Sequence, residues 1–212
     1  MTNYSVSAEN IRKNFGRRLI FNGINFNYSN PGVYGIAGSN GSGKSTLVKI
    51  ISGINAPTAG KIIHTYNEKK LTFEHLHNHI GLVSPYLVLY DEFTAYENLN
   101  YFAKIRNVPF DKEKIDDLLN RFLLLKRKDD FVKGYSSGMK QRLKFIFALQ
   151  HSPNLLILDE PVSNLDNEGK DTVYKIIENE SKNTIVMVAS NEENDLSLCS
   201  EIIYLENYKT TK

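Results

Sequence analysis

Gly38-Ser-Asn-Gly-Ser-Gly-Lys-Ser-Thr46 is the stretch on which the reading of this chain turns. Gly38 to Ser45 fits the pattern Gly-x4-Gly-Lys-Ser, which cradles phosphates when a strand precedes it and a helix follows. Both flanks are present. Gly32-Val-Tyr-Gly-Ile-Ala37 predicts a strand, and Ser45 to Ser52 predicts a helix, with Leu47, Ile50 and Ile51 apolar and Gly53 as its stop. Glycines let backbone N–H groups face phosphates without a Cβ in the way, and the helix N-terminus adds positive dipole potential. Gly38, Ser39, Asn40, Gly41, Ser42, Gly43, Lys44, Ser45 and Thr46 are therefore candidate nucleotide-binding residues. Lys44 is expected to reach the β- and γ-phosphates, Ser45 to hold Mg2+ and Thr46 to add a phosphate contact. The alternative, a Gly-rich turn that carries Lys-Ser by coincidence, explains neither flank.

Downstream, Leu155-Leu-Ile-Leu158 reads as a parallel strand buried on both faces, with Asp159 and Glu160 emerging at its end. After a phosphate loop, the first carboxylate suits Mg2+ and the second can polarise an attacking water. On their own, two acids in sequence are equally a solvated turn. Between the loop and this pair, Tyr135-Ser-Ser-Gly-Met-Lys-Gln-Arg142 opens a helical pattern running from Ser136 to Gln150. A Ser hydroxyl and free N–H groups at a helix N-terminus form an anion site, although an ordinary Ser cap has the same sequence.

The 212 residues carry a net charge of +2 and 41% hydrophobic residues, enough for one large α/β domain or two small ones. Strands are expected near residues 4–8 and 19–28, then at Gly60–His64, Ile80–Val83, Thr184–Ala189 and Glu201–Leu205. Helical patterns at Ala95–Arg106 and Asp111–Leu125 join the one from Ser136 to interrupt the alternation, and another spans Asn167–Glu180. The single cysteine, Cys199, excludes an internal disulfide and suits a reducing compartment. The N-terminal residues lack the blocks of a signal peptide, and no apolar run reaches the roughly 20 residues that span a bilayer. A cytoplasmic chain is expected.

On these motifs the chain resembles the ATP-binding cassette (ABC) ATPase subunits along nearly its whole length. Ser136-Ser137-Gly138-Met139 stands where that family carries its signature, usually Ser-Gly-Gly-Gln, and Pro161-Val-Ser163-Asn-Leu-Asp166 is similar to the loop that touches a partner subunit. The resemblance implies an α/β fold: a P-loop NTPase core with a parallel sheet, an N-terminal antiparallel β subdomain and an inserted helical subdomain at about 94–152, all in one domain over 1–212. It implies ATP and Mg2+ as cofactors, with Ser45 and Asp159 on the metal and Glu160, Lys44 and Asn191 catalytic. Ser136, Ser137, Gly138 and Met139 would face the γ-phosphate held by a second ATP-binding subunit, a homodimer being expected. The position of Phe15 is that of an adenine-stacking aromatic; on residue type alone Phe15 is equally core.

Two positions depart from the family pattern. The Gln that helps hold Mg2+ and the attacking water is replaced by Pro85, which offers no side-chain hydrogen bond and no N–H. Tyr86 is adjacent. The γ-phosphate-contacting His is replaced by Asn191, whose amide donates but neither carries charge nor shuttles a proton.

The implied function is ATP hydrolysis that energises a separate transmembrane permease from the inner face of the membrane, with export favoured by the Tyr-Ser-x-Gly-Met form of the signature. The alternative is a slow or non-hydrolysing ATP-gated clamp. Nucleic acid is not expected as a partner, since the chain has neither two cassettes nor a long coiled coil. Three further features stay open: His75, His77 and His79 as an exposed loop or as metal ligands on one strand face; Lys126-Arg127-Lys128 as a solvated turn or an anion contact; and the aromatic stretch Tyr86 to Tyr101 as subdomain core or a permease-docking surface.

Overall fold

The computed structural model describes residues 3–209; the ends of the 1–212 span lie outside them. Long apolar runs and alternating runs sort into two different sheets. β3 (Gly32–Ala37), β6 (Ile80–Val83), β7 (Leu155–Asp159), β8 (Ile185–Ser190) and β9 (Glu201–Tyr204) form a parallel sheet in the order β6-β7-β8-β3-β9. Every residue of β7 and β8 is buried, as helices on both faces of a parallel sheet require. β1 (Tyr4–Phe15), β2 (Arg18–Tyr28), β4 (Ala59–Tyr66) and the short β5 (Lys69–Lys70) form an antiparallel sheet in the order β2-β1-β4-β5.

Two cores follow from the pleat of the parallel sheet. Leu155 and Ile157 of β7 face one core, where Leu47, Ile50 and Ile51 of α1 (Lys44–Ile51) pack against Val6, Ile11, Phe21 and Ile24 of the antiparallel sheet. Leu156 and Leu158 face the other, shared with α3 (Ala95–Ile105), α4 (Lys112–Arg121), α5 (Ser137–Leu149) and α6 (Asn167–Glu180). The helix that follows the phosphate loop is thus clamped between sheets. His64 of β4 reinforces the clamp: the Tyr4 hydroxyl donates to its Nδ1 (2.7 Å) and its Nε2 donates to the Ile51 carbonyl (2.9 Å). Burial pushes its pKa down to about 4. At the far edge, a Cβ on Gly35 of β3 would lie 3.1 Å from Cys199 Sγ, so this strand and the thiol pack without spare room. Burial raises the Cys199 thiol to about 11.

Several boundaries differ from expectation. β1 runs on to Phe15 instead of ending near residue 8, because bulges between Ala8 and Asn14 let it keep pairing with β2. α4 ends at Arg121, short of Leu125, because Leu123 takes the left-handed conformation (φ 57°). β5 and α2 (Phe73–Leu76) were not expected. The three alternating histidines therefore share no strand face: His75 lies in α2 and His79 Nδ1 meets Asn154 Oδ1 at 2.7 Å. Among the described residues no group of three side chains is placed to hold a metal ion. In the basic run, Arg127 pairs with Asp130, and Lys128 lies 3.1 Å from Asp116. Among the described residues no helix is long and apolar enough to cross a membrane.

Candidate nucleotide-binding site

The C-terminal ends of three neighbouring parallel strands deliver the site. Ala37 of β3 pairs with Ser190 of β8, and Asp159 of β7 pairs with Ala189, so the loop from Gly38, the acids Asp159 and Glu160, and Asn191 leave one edge of the sheet together. This is where ligands bind in open α/β sheets.

The loop is shaped by contacts that only glycine permits. Gly43 has φ 112°, and a Cβ there would sit 2.5 Å from Ile20 Cγ2 of β2. Lys44, 5% exposed, donates from Nζ to the Gly38 carbonyl (2.8 Å) and lies 3.1 Å from Glu160 Oε1. Behind the loop, Glu206 Oε1 accepts from the Ser39 N–H (2.9 Å) and from its hydroxyl (3.3 Å). The Ser39 N–H holds the Glu206 carboxyl below the usual carboxylate range, helped by Lys209.

Asp159 is 1% exposed, and among the described residues neither of its oxygens has a hydrogen-bond partner. Burial pushes its pKa up. The Ser45 hydroxyl opposes the shift, though without a hydrogen bond of acceptable geometry. A buried carboxylate with unsatisfied oxygens next to a hydroxyl is the donor set of a hard divalent cation, so Asp159 and Ser45 fit Mg2+. Glu160 has φ 52°, an uncommon conformation for a residue with a Cβ, fixed by its N–H on the Ala189 carbonyl (2.9 Å) and by the Ser163 hydroxyl on its own carbonyl (2.9 Å).

Around these groups lies a cleft of 680 Å3. Its walls include Phe15, Arg18, Ser39, Asn40, Gly41, the run from Gly43 to Thr46, Pro85, Tyr86, Glu160, Ser163 and Asn191, whereas Ser42 is buried beneath the loop. Phe15 ends β1 and is 53% exposed, which removes the core reading for its ring. Tyr86 lies over Lys49 of α1 (Nζ to ring centroid 4.2 Å), and Lys144 of α5 donates to the Ser84 and Pro85 carbonyls (3.2 Å each). The loop carrying Pro85 is thus gripped from both the phosphate helix and the helix of the Ser136 motif.

The residues Ser136 to Met139 are not brought to this cleft. Ser136 caps α5, its Oγ accepting from the Met139 N–H (3.2 Å), and Ser137 opens on an adjoining depression with Asp91 and Lys140 that shares Pro85, Ser163 and Asn164 with the cleft. Both Ser136 and Ser137 are exposed. Of the aromatic stretch, Leu89 is buried, whereas Tyr86, Tyr90, Phe93 and Tyr101 are exposed. Sequence reasoning missed Glu206, which no local pattern reveals because it lies 167 residues from Ser39. It also missed Arg18 in the cleft wall, while Ser163 and Asn164, expected in a partner-touching loop, line the same cleft.

A glycine-shaped loop between a parallel strand and a helix, with a carboxylate pair at the end of a neighbouring strand, defines a P-loop nucleotide-binding domain. Residues 21–163 match the family model described as ABC transporter, and the chain belongs to that family. It is 35% identical over 166 residues to the bacitracin transport ATP-binding protein BcrA of Enterococcus faecalis, covering 78% of this chain and 54% of that one. To the lantibiotic transport ATP-binding protein SrtF of Streptococcus pyogenes it is 36% identical over 173 residues, covering 82% of this chain and 73% of that one. The chain thus spans about half the length of the bacitracin relative. Among solved structures, a putative ABC transporter ATP-binding protein from Pyrococcus furiosus superposes with a TM-score of 0.83 at 26% identity, covering 97% of this chain and 100% of that one.

Proposed function

We propose that this chain binds ATP with Mg2+ and hydrolyses it as the ATP-binding subunit of a transporter, energising a separate membrane-spanning permease from the cytoplasmic face. The observation that carries this reading is the convergence of Lys44, Ser45 and Glu160 on one cleft, with Asp159 buried behind them, while none of Ser136 to Met139 lines it. A second copy, arranged head to tail, would bring its Ser136, Ser137, Gly138 and Met139 over the γ-phosphate and close the site.

Within the cleft each residue has a distinct task. Phe15 offers its ring to the adenine. The loop N–H groups and Lys44 neutralise the phosphates, and Ser45 with Asp159 would hold Mg2+, which when bound offsets charge on the β- and γ-oxygens. Glu160 orients a water and takes its proton as the new P–O bond forms and the bond to the β-phosphate oxygen breaks. Asn191 donates its amide to the γ-phosphate. The form of the signature supports an export role, and the names of the two relatives support transport. Pro85 and Asn191 favour a second reading, a clamp that closes on ATP with little hydrolysis.

Purified protein assayed for ATP turnover and for ATP-driven dimerisation, beside Glu160→Gln, tests both. Turnover abolished by the substitution supports the ATPase. Dimerisation with equal background turnover in both proteins supports the clamp, and neither dimerisation nor turnover sinks the proposal.

A further inference from the structure

Behind the Asn191 turn lies a buried carboxyl that the nucleotide chemistry leaves unused. Asp195, in the short helix α7 (Glu193–Leu196), is 1% exposed. The hydroxyl of Ser190, the last residue of β8 and itself fully buried, donates to Asp195 Oδ2 (2.6 Å). The hydroxyl of Tyr174 in α6 donates to Oδ1 (2.8 Å). Ser190 Oγ also accepts from the Glu192 N–H (3.1 Å), and Glu192 Oε2 lies 3.6 Å from Lys170 of α6. The residues on either side of Asn191 are therefore both tied to α6, one through Asp195 and Tyr174, the other through Lys170. α6 in turn begins at Asn167, directly after the segment 161–166 that leaves Glu160.

A buried carboxyl is a poor way to gain stability, since desolvation offsets much of what its hydrogen bonds return and apolar packing of equal volume does as well. What a fully satisfied buried network supplies is a fixed geometry. The only residue of this turn that lines the nucleotide cleft is Asn191, which projects from between the two tethered neighbours. We infer that Asp195 is a positioning residue that locks the Asn191 turn to α6, so that the Asn191 amide and the segment 161–166 approach the nucleotide as one body. The inference rests on the proposed role of Asn191 at the γ-phosphate.

The test is a double-mutant cycle between Asp195→Asn and Asn191→Ala, read by turnover and by the ATP concentration that half-saturates dimerisation, so that slow hydrolysis still reports. Misplacing one polar contact is expected to lower activity roughly ten-fold, with the KM for ATP changed less than about two-fold. In the Asn191→Ala background the same substitution is expected to add nothing. Tyr174→Phe, which keeps the ring and the carboxyl, serves if Asp195→Asn fails to fold. It is expected to give about a three-fold loss with the same non-additivity. Equal losses in both backgrounds overturn the inference while leaving Asn191 in place. An Asn191→Ala protein that works like the parent removes the Asn191 role and the inference with it. No loss from either positioning variant also overturns it.

Discussion

Lys44 Nζ and Glu160 Oε1 stand 3.1 Å apart across the cleft, so the proposed phosphate-binding cation and the proposed base neutralise one another. In the proposed mechanism an incoming γ-phosphate would compete for the same ammonium and draw it off the carboxylate, leaving that carboxylate to face water with its charge unpaired. Glu160→Gln is expected to retain ATP binding and ATP-driven dimerisation while turnover falls by roughly 10²–10⁴-fold, the range for loss of a general base. Lys44→Ala is expected to lose nucleotide binding itself. Calorimetry with a slowly hydrolysed ATP analogue separates the two outcomes.

Asp159, the proposed Mg2+ ligand, is held at a cost to the fold. Its raised pKa means that ionisation is harder in the folded chain than in the unfolded one, so its contribution becomes unfavourable as pH rises through the ordinary carboxylate range and beyond. Asn has the same shape and no charge, so it relieves the desolvation of a buried carboxylate, although its amide inherits the unpaired position. Asp159→Asn should therefore raise Tm by several degrees at neutral pH without nucleotide, and by less in acid, where the carboxyl is already protonated. The same variant should gain no stability from Mg2+ with ATP. Thermal melts at two pH values, with and without Mg-ATP, check all three.

Glu206 tests how the loop is braced from behind. Glu206→Ala removes the acceptor for the Ser39 N–H and is expected to weaken ATP and ADP binding alike, by about five-fold, as for one modest hydrogen bond. Glu206→Gln keeps an acceptor and deletes a negative charge near the phosphates, so its affinity should equal or exceed that of the parent. Weaker binding in the Gln protein than in the Ala protein would contradict this account.

Acid should unfold the chain through its buried imidazoles. Burial lowers His64 to about 4, and burial with the Arg106 charge lowers His151 to about 3, against 6.5 for an ordinary histidine. Both are neutral in the fold, so the unfolded chain binds more protons. Their stabilising share is intact above about pH 6.5 and is lost progressively as pH falls below it. His64→Gln is expected to lower Tm at pH 7.5 yet flatten the decline between pH 6.5 and 4.5, and a slope unchanged from the parent would exclude His64 as a source.

The parts of this molecule that could be read in advance are those where local chemistry is decisive. Leu155 to Leu158 is too apolar to be other than a doubly covered strand, and Gly38 to Thr46 carries glycines at the spacing the loop requires. Three-dimensional pairing decided the rest. The extension of β1 to Phe15 depends on bulges set by β2, and the exposure of the Phe15 ring follows from where that longer strand ends. Asp195 sits in a polar stretch that reads as loop, and its partners Ser190 and Tyr174 come from a strand and a helix that only the fold brings together. Likewise, Ser136 shows itself in sequence as a helix start, whereas its separation from the Lys44 cleft is a property of the packed chain.

The seat of Cys199 against Gly35 has a practical reach. With its pKa at about 11, only a small fraction of this thiol is ionised at neutral pH, and the thiolate is the form that reacts with alkylating probes. The natural chain is thus close to a blank background for labelling. A cysteine introduced at an exposed position away from Ser136 to Met139 would take up a fluorophore or spin label almost alone, and its signal would report whether two copies approach on addition of ATP.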